Sequence, residues 1–401
     1  MSVEISPGIF WIGTNDRTTD LFEGLWSIEE GVSYNSYLIQ DEKPVLIDLV
    51  KSSHINEYFD RIEDLIELPD LNQGYIIINH MEPDHSGLLK AIRRFAPDVK
   101  VIGTRKANDM VRAFFDIHDN LIEVEDGETL NIGKRKLNFY KIPFVHWPET
   151  MATFEPSSGI LFSCDAFGGY GALKGPIFED KLPPTQLATY REEALRYYAN
   201  IIPKFSNSVL KAIKKLEPLP IRMVAPAHGI IWRKNPKEII DLYKQWASYS
   251  KGPCEKCVTL IYGSMYGNTE VMMNAIARGI SKAGVQVEIF DAARIPLTYI
   301  LPALWRSAGI MVGAPTYENE MFPPVAHVLD MARRKRIMGR KAAFFGSFGW
   351  SGGAKREWIK FAEALKWDVS GEFEFKGGPT RDDLQRGAEF GEKFAKEILS
   401  G

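Results

Sequence analysis

The chain has 401 residues, 45% of them hydrophobic and 25% charged, with a formal net charge of −3. That length exceeds what one hydrophobic core usually organises and suggests two or three domains, while the charge excludes a general nucleic-acid binder or a polybasic membrane docker. No apolar run approaches the roughly 18 residues of a membrane span, and residues 1–11, interrupted by Glu4 and Pro7, lack the basic and apolar regions of a signal peptide, which predicts a cytoplasmic protein.

In chain order, strands are predicted at 45–47, 75–79, 99–103, 137–141, 160–163 and 223–225. Helices are predicted at 57–66, 87–95 and 191–216, the last broken at Pro203. This is α/β or α+β grammar, with sheets packed together and helices outside. Directly after the strand 75–79 comes His80-Met81-Glu82-Pro83-Asp84-His85-Ser86-Gly87, which offers four potential ligands in six residues. Where the chain is extended, alternation aims His80, Glu82 and Asp84 the same way. The turn before the next helix then brings His85 back to a second metal.

Further single ligands sit at similar strand ends. His146 follows 137–145, Asp165 follows 160–164, and His228 follows 223–227 with Gly229 behind it. His54, His118 and His327 do not share that placement and read as structural. Four imidazoles and three carboxylates exceed one ion's needs and suit two, with Asp165 able to bridge. Mixed N/O coordination without thiolate suits iron or manganese. The ligands bind deprotonated, so occupancy falls in acid.

Gly252-Pro253 ends the helical stretch that starts at Pro236, and places the domain boundary there: 1–251 and 252–401. Three cysteines exclude a disulfide scaffold. Cys254 and Cys257 form a C-x-x-C, but Cys164 is far away and no second pair exists, so the pair reads as incidental. The second domain has strands predicted at 258–262, 285–290, 309–312 and 341–346, with a fifth near 367–375. Helices at 270–283, 324–334, 354–365 and 382–399 complete a doubly wound parallel sheet, whose ligands bind beyond the strands' C-terminal ends.

Three loops lie at those ends. Ser264, Met265, Tyr266, Gly267, Asn268 and Thr269 follow the first strand and supply hydroxyls and backbone N–H groups at a helix N-terminus, as a phosphate requires. The loop has neither the Gly-Lys-Ser/Thr ending of a P-loop nor a G-x-G-x-x-G, which argues against ATP or NAD. Pro315, Thr316, Tyr317, Glu318 and Asn319 follow the third strand; Ser347, Phe348, Gly349, Trp350, Ser351, Gly352 and Gly353 follow the fourth. Both offer an aromatic and no Lys or Arg, which suits a neutral isoalloxazine. With no separate adenylate site, FMN is favoured over FAD.

The run H-x-E-x-D-H with its later His, Asp and His resembles the metallo-beta-lactamase superfamily, whose zinc hydrolases carry H-x-H-x-D-H. Glu82 in place of the second histidine is the departure that marks the flavodiiron proteins, which also carry a C-terminal flavodoxin-like domain. Val145-His146-Trp147-Pro148 is similar to that family's L-H-W-P run, with Val145 a mild apolar departure. The resemblance covers essentially the whole chain. It implies an α/β protein: an N-terminal αββα metallo-beta-lactamase-like sandwich, then a flavodoxin-like doubly wound parallel sheet. By that resemblance His80, Glu82 and His146 hold one iron, Asp84, His85 and His228 the other, and Asp165 bridges, while the three loops bind FMN.

The implied activity is that of a flavodiiron oxidoreductase. Electrons enter at FMN and pass to two non-haem irons, which reduce O2 to water or NO to N2O. Trp147 and Tyr197 or Tyr198 are candidates to line the pocket, with packing the first role for each. No rubredoxin-like pair of C-x-x-C motifs is fused to the chain, so the donor is expected to be separate: rubredoxin, a deazaflavin cofactor or a flavin reductase. A flavin and irons in different domains need not be close, and the resemblance implies a head-to-tail homodimer or a dimer of dimers that brings them together. The alternatives are a zinc-dependent hydrolase with a flavodoxin-like appendage, which would be expected to carry His at position 82, and a non-catalytic flavin sensor.

Overall fold

The computed structural model describes residues 2–401, which form two compact units, one ending at Ala247 and the other starting at Ser248.

In the first unit, seven strands form one sheet in the order Val3–Ser6, Ile9–Trp11, Tyr37–Ile39, Val45–Ile47, Tyr75–Ile77, Lys100–Gly103, Leu121–Glu123. Five more form a second: Thr129–Asn131, Lys136–Lys141, Met151–Glu155, Ile160–Cys164, Met223–Pro226. Both sheets are mixed. Val45–Ile47 through Leu121–Glu123 run parallel, as do Ile160–Cys164 and Met223–Pro226. The central strands are buried along their whole length, so they lack the polar–apolar alternation of a half-exposed strand. The inner faces meet where the Tyr37 ring lies 5.0 Å from Phe162 and the Tyr37 hydroxyl donates to the Pro226 carbonyl at 2.7 Å. Helices such as Ile55–Glu63 bury one stripe, here Tyr58 and Ile62, and leave the other to water.

Several elements lie outside the predicted set. The strands before residue 40 are three residues or so long, too short to show a period. The helix Arg105–Phe115 is amphipathic and capped by the Thr104 side chain, while Leu297–Arg306 contains Pro302, which reads as a breaker in sequence. The break expected at Pro203 within 191–216 is present: two helices, Pro184–Ile201 and Ser206–Leu216, are joined by a 3-10 turn, Pro203–Phe205, the first starting seven residues before the predicted 191.

The second unit is a five-stranded parallel sheet. Its strands in chain order are Glu255–Tyr262, Val287–Asp291, Ser307–Gly313, Lys341–Phe348 and Asp368–Lys376, and the sheet order is second, first, third, fourth, fifth. On one face, Asn268–Lys282 and Arg381–Ser400 cover Val258, Leu260 and Phe373. These two helices touch backbone to backbone: a Cβ on Gly279 would meet the Ala388 carbonyl oxygen at 1.9 Å, and one on Gly391 would meet that of Ile276 at 2.2 Å. On the other face Trp358 stacks on Phe344, ring centroids 5.5 Å apart. Sheet order reverses between the first and third strands, which opens a crevice at their C-terminal ends. No helix among the described residues is long and apolar enough to cross a membrane.

Candidate metal centre and cofactor cavity

All seven predicted ligands converge at one end of the first unit, each carried by the segment that follows a strand. Asn79 fixes the first. Its N–H and side-chain amide donate to the buried Asp48 carboxylate at 2.7 and 2.9 Å, and its side-chain oxygen accepts from Thr153 of the second sheet at 2.8 Å. His80 therefore leaves its strand at a set angle. Pro83 then starts a helical turn, Pro83–Ser86, stapled by the Ser86 hydroxyl to the Met81 and Glu82 carbonyls at 2.9 and 3.1 Å.

That turn corrects one expectation. Asp84 does not share a direction with His80 and Glu82, because the chain is helical from Pro83 and the period-2 alternation stops at Glu82. Two groups result. His80, Glu82, His146 and Asp165 bring one donor atom each within 4.8 Å of one another, and so do Asp84, His85 and His228. Asp165 faces both: Oδ2 lies 3.3 Å from His80 Nε2 and 3.2 Å from His146 Nε2, while Oδ1 lies 2.9 Å from His85 Nε2 and 3.3 Å from His228 Nε2. Glu82 approaches His80 and His146 at 3.3 and 3.1 Å, and Asp84 approaches His85 and His228 at 3.4 Å each.

The donor atoms fit two cations. Both oxygens of Asp84, both ring nitrogens of His85, His228 Nε2 and Asp165 Oδ1 are buried with no aligned hydrogen-bond partner, an arrangement that costs stability unless something binds there. Burial alone would raise the carboxyls of Asp165 and Glu82, but the facing imidazoles hold both well below the usual range. Burial likewise opposes charge on His146, yet Asp165 and Glu82 hold its pKa at about 9. Burial opposes charge on His228 too, and Asp165 with Asp84 hold it at about 10. In the metal-free chain these rings are therefore protonated at neutral pH, and a metal ion takes the place of the protons. Uptake of Fe(II) in weakly buffered solution at pH 7 is expected to release protons, with apparent affinity rising with pH towards those values and falling in acid. Uptake without acidification of the solution would contradict this.

Aromatic rings wall the site. Phe22, Tyr34 and Tyr197 lie 5.4, 5.7 and 5.7 Å from the His228 ring, and Trp147 lies 5.0 Å from His80. Tyr197 is buried with an unpartnered hydroxyl, whereas the Tyr198 hydroxyl bonds Ser206 at 2.7 Å and its ring packs on Tyr243. Cys164 was not foreseen here: its sulfur comes within 4.8 Å of His85 and Asp165 donor atoms, but burial, aided by Asp48, Asp165 and Asp84, raises its pKa well above the usual value and keeps it a thiol. Sequence reading also missed Glu149, whose Oε1 meets His80 Nδ1 at 2.7 Å. Its signal was a carboxylate three residues past His146. The other histidines serve elsewhere: His118 pairs with Asp116 at the surface, His54 lies 3.4 Å from Asp16, and His327 is exposed on a helix.

In the second unit the three loops enclose a cavity of about 430 Å³. It is lined by Ser264, Met265, Tyr266, Asn268, Thr269, Pro315, Thr316, Tyr317, Glu318, Asn319, Ser347, Phe348, Gly349, Trp350 and Ser351, together with Gly377, which sequence reading did not single out. Gly267, Gly352 and Gly353 stand behind this lining. Gly267 instead takes φ +91° and caps the helix Asn268–Lys282, and Gly353 packs against the Asn319 backbone, where a Cβ would meet its carbonyl oxygen at 1.9 Å. The helix N-terminus with Ser264, Asn268 and Thr269 suits a phosphate. Tyr266 and Trp350, 90% and 92% exposed, leave aromatic faces free for a planar ring. No Lys or Arg lines the cavity.

Comparison with known proteins agrees along the whole chain. Residues 32–229 match the model of the ODP family beta lactamase and residues 260–391 that of flavodoxin. The chain is 36% identical, over 99% of its length and 82% of the relative's, to the anaerobic nitric oxide reductase flavorubredoxin of Escherichia coli O1:K1. Among solved structures it is similar to the flavodiiron protein of Giardia intestinalis, with a TM-score of 0.93 and 30% identity over 100% of this chain and 97% of that one. It is also similar to the rubredoxin oxygen:oxidoreductase of Desulfovibrio gigas, with a TM-score of 0.94 and 27% identity over 100% and 99%.

Proposed function

This chain belongs to the flavodiiron protein family, and from that premise we propose that it is an oxidoreductase that passes electrons from an external donor through FMN to a non-haem diiron site reducing O2 to water, NO to N2O, or both. The observation that carries the reading is the pair of buried donor clusters sharing Asp165, in a chain whose second unit holds a cavity suited to a flavin. When bound, two irons and a reduced flavin store four electrons, the number that takes O2 to two waters.

The residues of the chain do the rest. His80, Glu82 and His146 are the proposed ligands of one iron, Asp84, His85 and His228 of the other, with Asp165 between them. The three carboxylates leave two divalent ions at a net charge near +1, so little further counter-charge is required. Phe22, Tyr34, Tyr197 and Trp147 pack around the ligand histidines and help keep bulk water from the buried donor atoms. In the second unit, the helix N-terminus would hold the FMN phosphate, and the aromatic side chains of Tyr266, Tyr317 and Trp350 at the cavity would be available to its ring system. Glu82 argues against the zinc hydrolase, which would present a third neutral imidazole there.

Of the relatives named above, one is named for nitric oxide and another for oxygen, and the ligand set suits either. The proposed electron donor is a rubredoxin, a deazaflavin cofactor or a flavin reductase. A head-to-tail homodimer would set one subunit's FMN against its partner's irons. Three free thiols, Cys164, Cys254 and Cys257, support a reducing compartment, the cytoplasm.

Metal and flavin analysis of the purified chain should give two irons and one FMN. Anaerobic reduction with each donor, followed by mixing with O2 and with NO, should give turnover with at least one pair. Zinc without flavin, or iron and flavin with no turnover on either gas, would overturn the reading.

A further inference from the structure

We infer that Glu149 is a positioning residue that makes the two metal positions unequal, so that the metal held by His80, Glu82 and His146 is bound more tightly than the one held by Asp84, His85 and His228. The inference rests on the diiron reading above.

Glu149 is 2% exposed, and among the described residues its one ionic partner is the His80 ring. Its Oε1 accepts from His80 Nδ1 at 2.7 Å and from the Met81 N–H at 3.0 Å, and its backbone carbonyl accepts from the Thr104 hydroxyl at 3.0 Å. Oε2 has no partner. A buried carboxylate so placed is costly unless positive charge lies nearby. The His80 ring points its other nitrogen, Nε2, at the Glu82 and Asp165 carboxylates, 3.3 Å from each. With Nδ1–H committed to Glu149, the lone pair of Nε2 is left for a metal, and the ring cannot turn over or change tautomer without breaking a buried bond. A carboxylate behind a ligating imidazole also makes it a stronger donor.

The second cluster has no counterpart. His228 Nδ1 donates to a neutral acceptor, the Ser33 carbonyl, at 2.7 Å, and His85 Nδ1 has no partner. Asp48 lies on the His85 side, but its oxygens accept from Asn79 and form no hydrogen bond to a ligand ring. The unequal pair therefore comes from outside the ligands, from one carboxylate on one histidine.

The test uses the full chain with FMN bound, loaded anaerobically with two Fe(II) and challenged with a chromogenic Fe(II) chelator at fixed pH. Wild type should release iron in two phases. Glu149→Gln keeps the shape and removes the charge, and should accelerate the slow phase by about 10- to 100-fold while leaving the fast phase unchanged. Glu149→Asp, which restores the charge, should recover part of the slow phase; if the Gln variant is insoluble, the Asp variant decides, with a slow phase faster than wild type expected. Release in one phase from wild type, or a slow phase unaltered in the variants, overturns the inference while the diiron reading stands. Equal acceleration of both phases would mean a merely structural role and overturns it too. A wild-type chain that binds no iron overturns both.

Discussion

Asp165→Asn is expected to remove both metals at once and to lower reductive turnover by more than about 100-fold. Substitutions one shell further out typically cost 10- to 100-fold in metal affinity, and Asp165 stands closer. Its two oxygens face four imidazoles, two on each side, at 2.9 to 3.3 Å. Asparagine keeps one oxygen and turns an NH2 towards the other pair, so one cluster loses an acceptor and gains a donor. The buried site also loses a negative charge that both ions share. Iron analysis should fall well below two per chain while FMN content stays at one, because the flavin cavity lies in the other unit. Two irons retained with normal turnover would remove Asp165 from its proposed role.

Thr316→Val should act on the flavin in the same separable way. The Thr316 hydroxyl accepts from the Gly353 N–H at 3.1 Å and the Ala354 N–H at 3.3 Å, the first two donors of the helix Ala354–Leu365, whose own N-cap residue, Gly353, has no side chain to offer. One hydroxyl thus ties the loop after the third strand to the loop after the fourth, across the cavity that both line. Valine has the same shape and leaves both N–H groups without an acceptor, at a cost of about 1–3 kcal/mol. If that cost falls on the flavin-bound arrangement, FMN affinity drops about 10- to 100-fold, read from the recovery of free-flavin fluorescence, with iron content unchanged. A lower Tm with unaltered FMN affinity would confine Thr316 to capping the helix.

Much of the site was legible because its chemistry is local in sequence. His80, Glu82, Asp84 and His85 fall in six residues, and the later ligands each sit just past a run apolar enough to be a buried strand. The parallel sheet of the second unit was legible for the same reason: strands buried on both faces read as continuous apolar runs between amphipathic helices. The short strands before residue 40 and the helix interrupted by Pro302 were not, since their order comes from neighbours rather than from a repeating pattern.

The sequence by itself determined the candidate ligands, their number and the loops that carry them. Only the tertiary structure decided the partition. Pro83 turns the chain from extended to helical between Glu82 and Asp84, which sends neighbouring carboxylates to different clusters, and Asp165, far along the chain, is placed between them by the second sheet. Glu149 became meaningful only in space, 69 residues from the ring it braces. Likewise Gly353, one of the glycines expected to touch a flavin, proved to be a close approach to the Asn319 backbone. Donor identity is a property of a side chain and survives in the sequence; which donors share an ion depends on angles and distances that arise when two sheets pack.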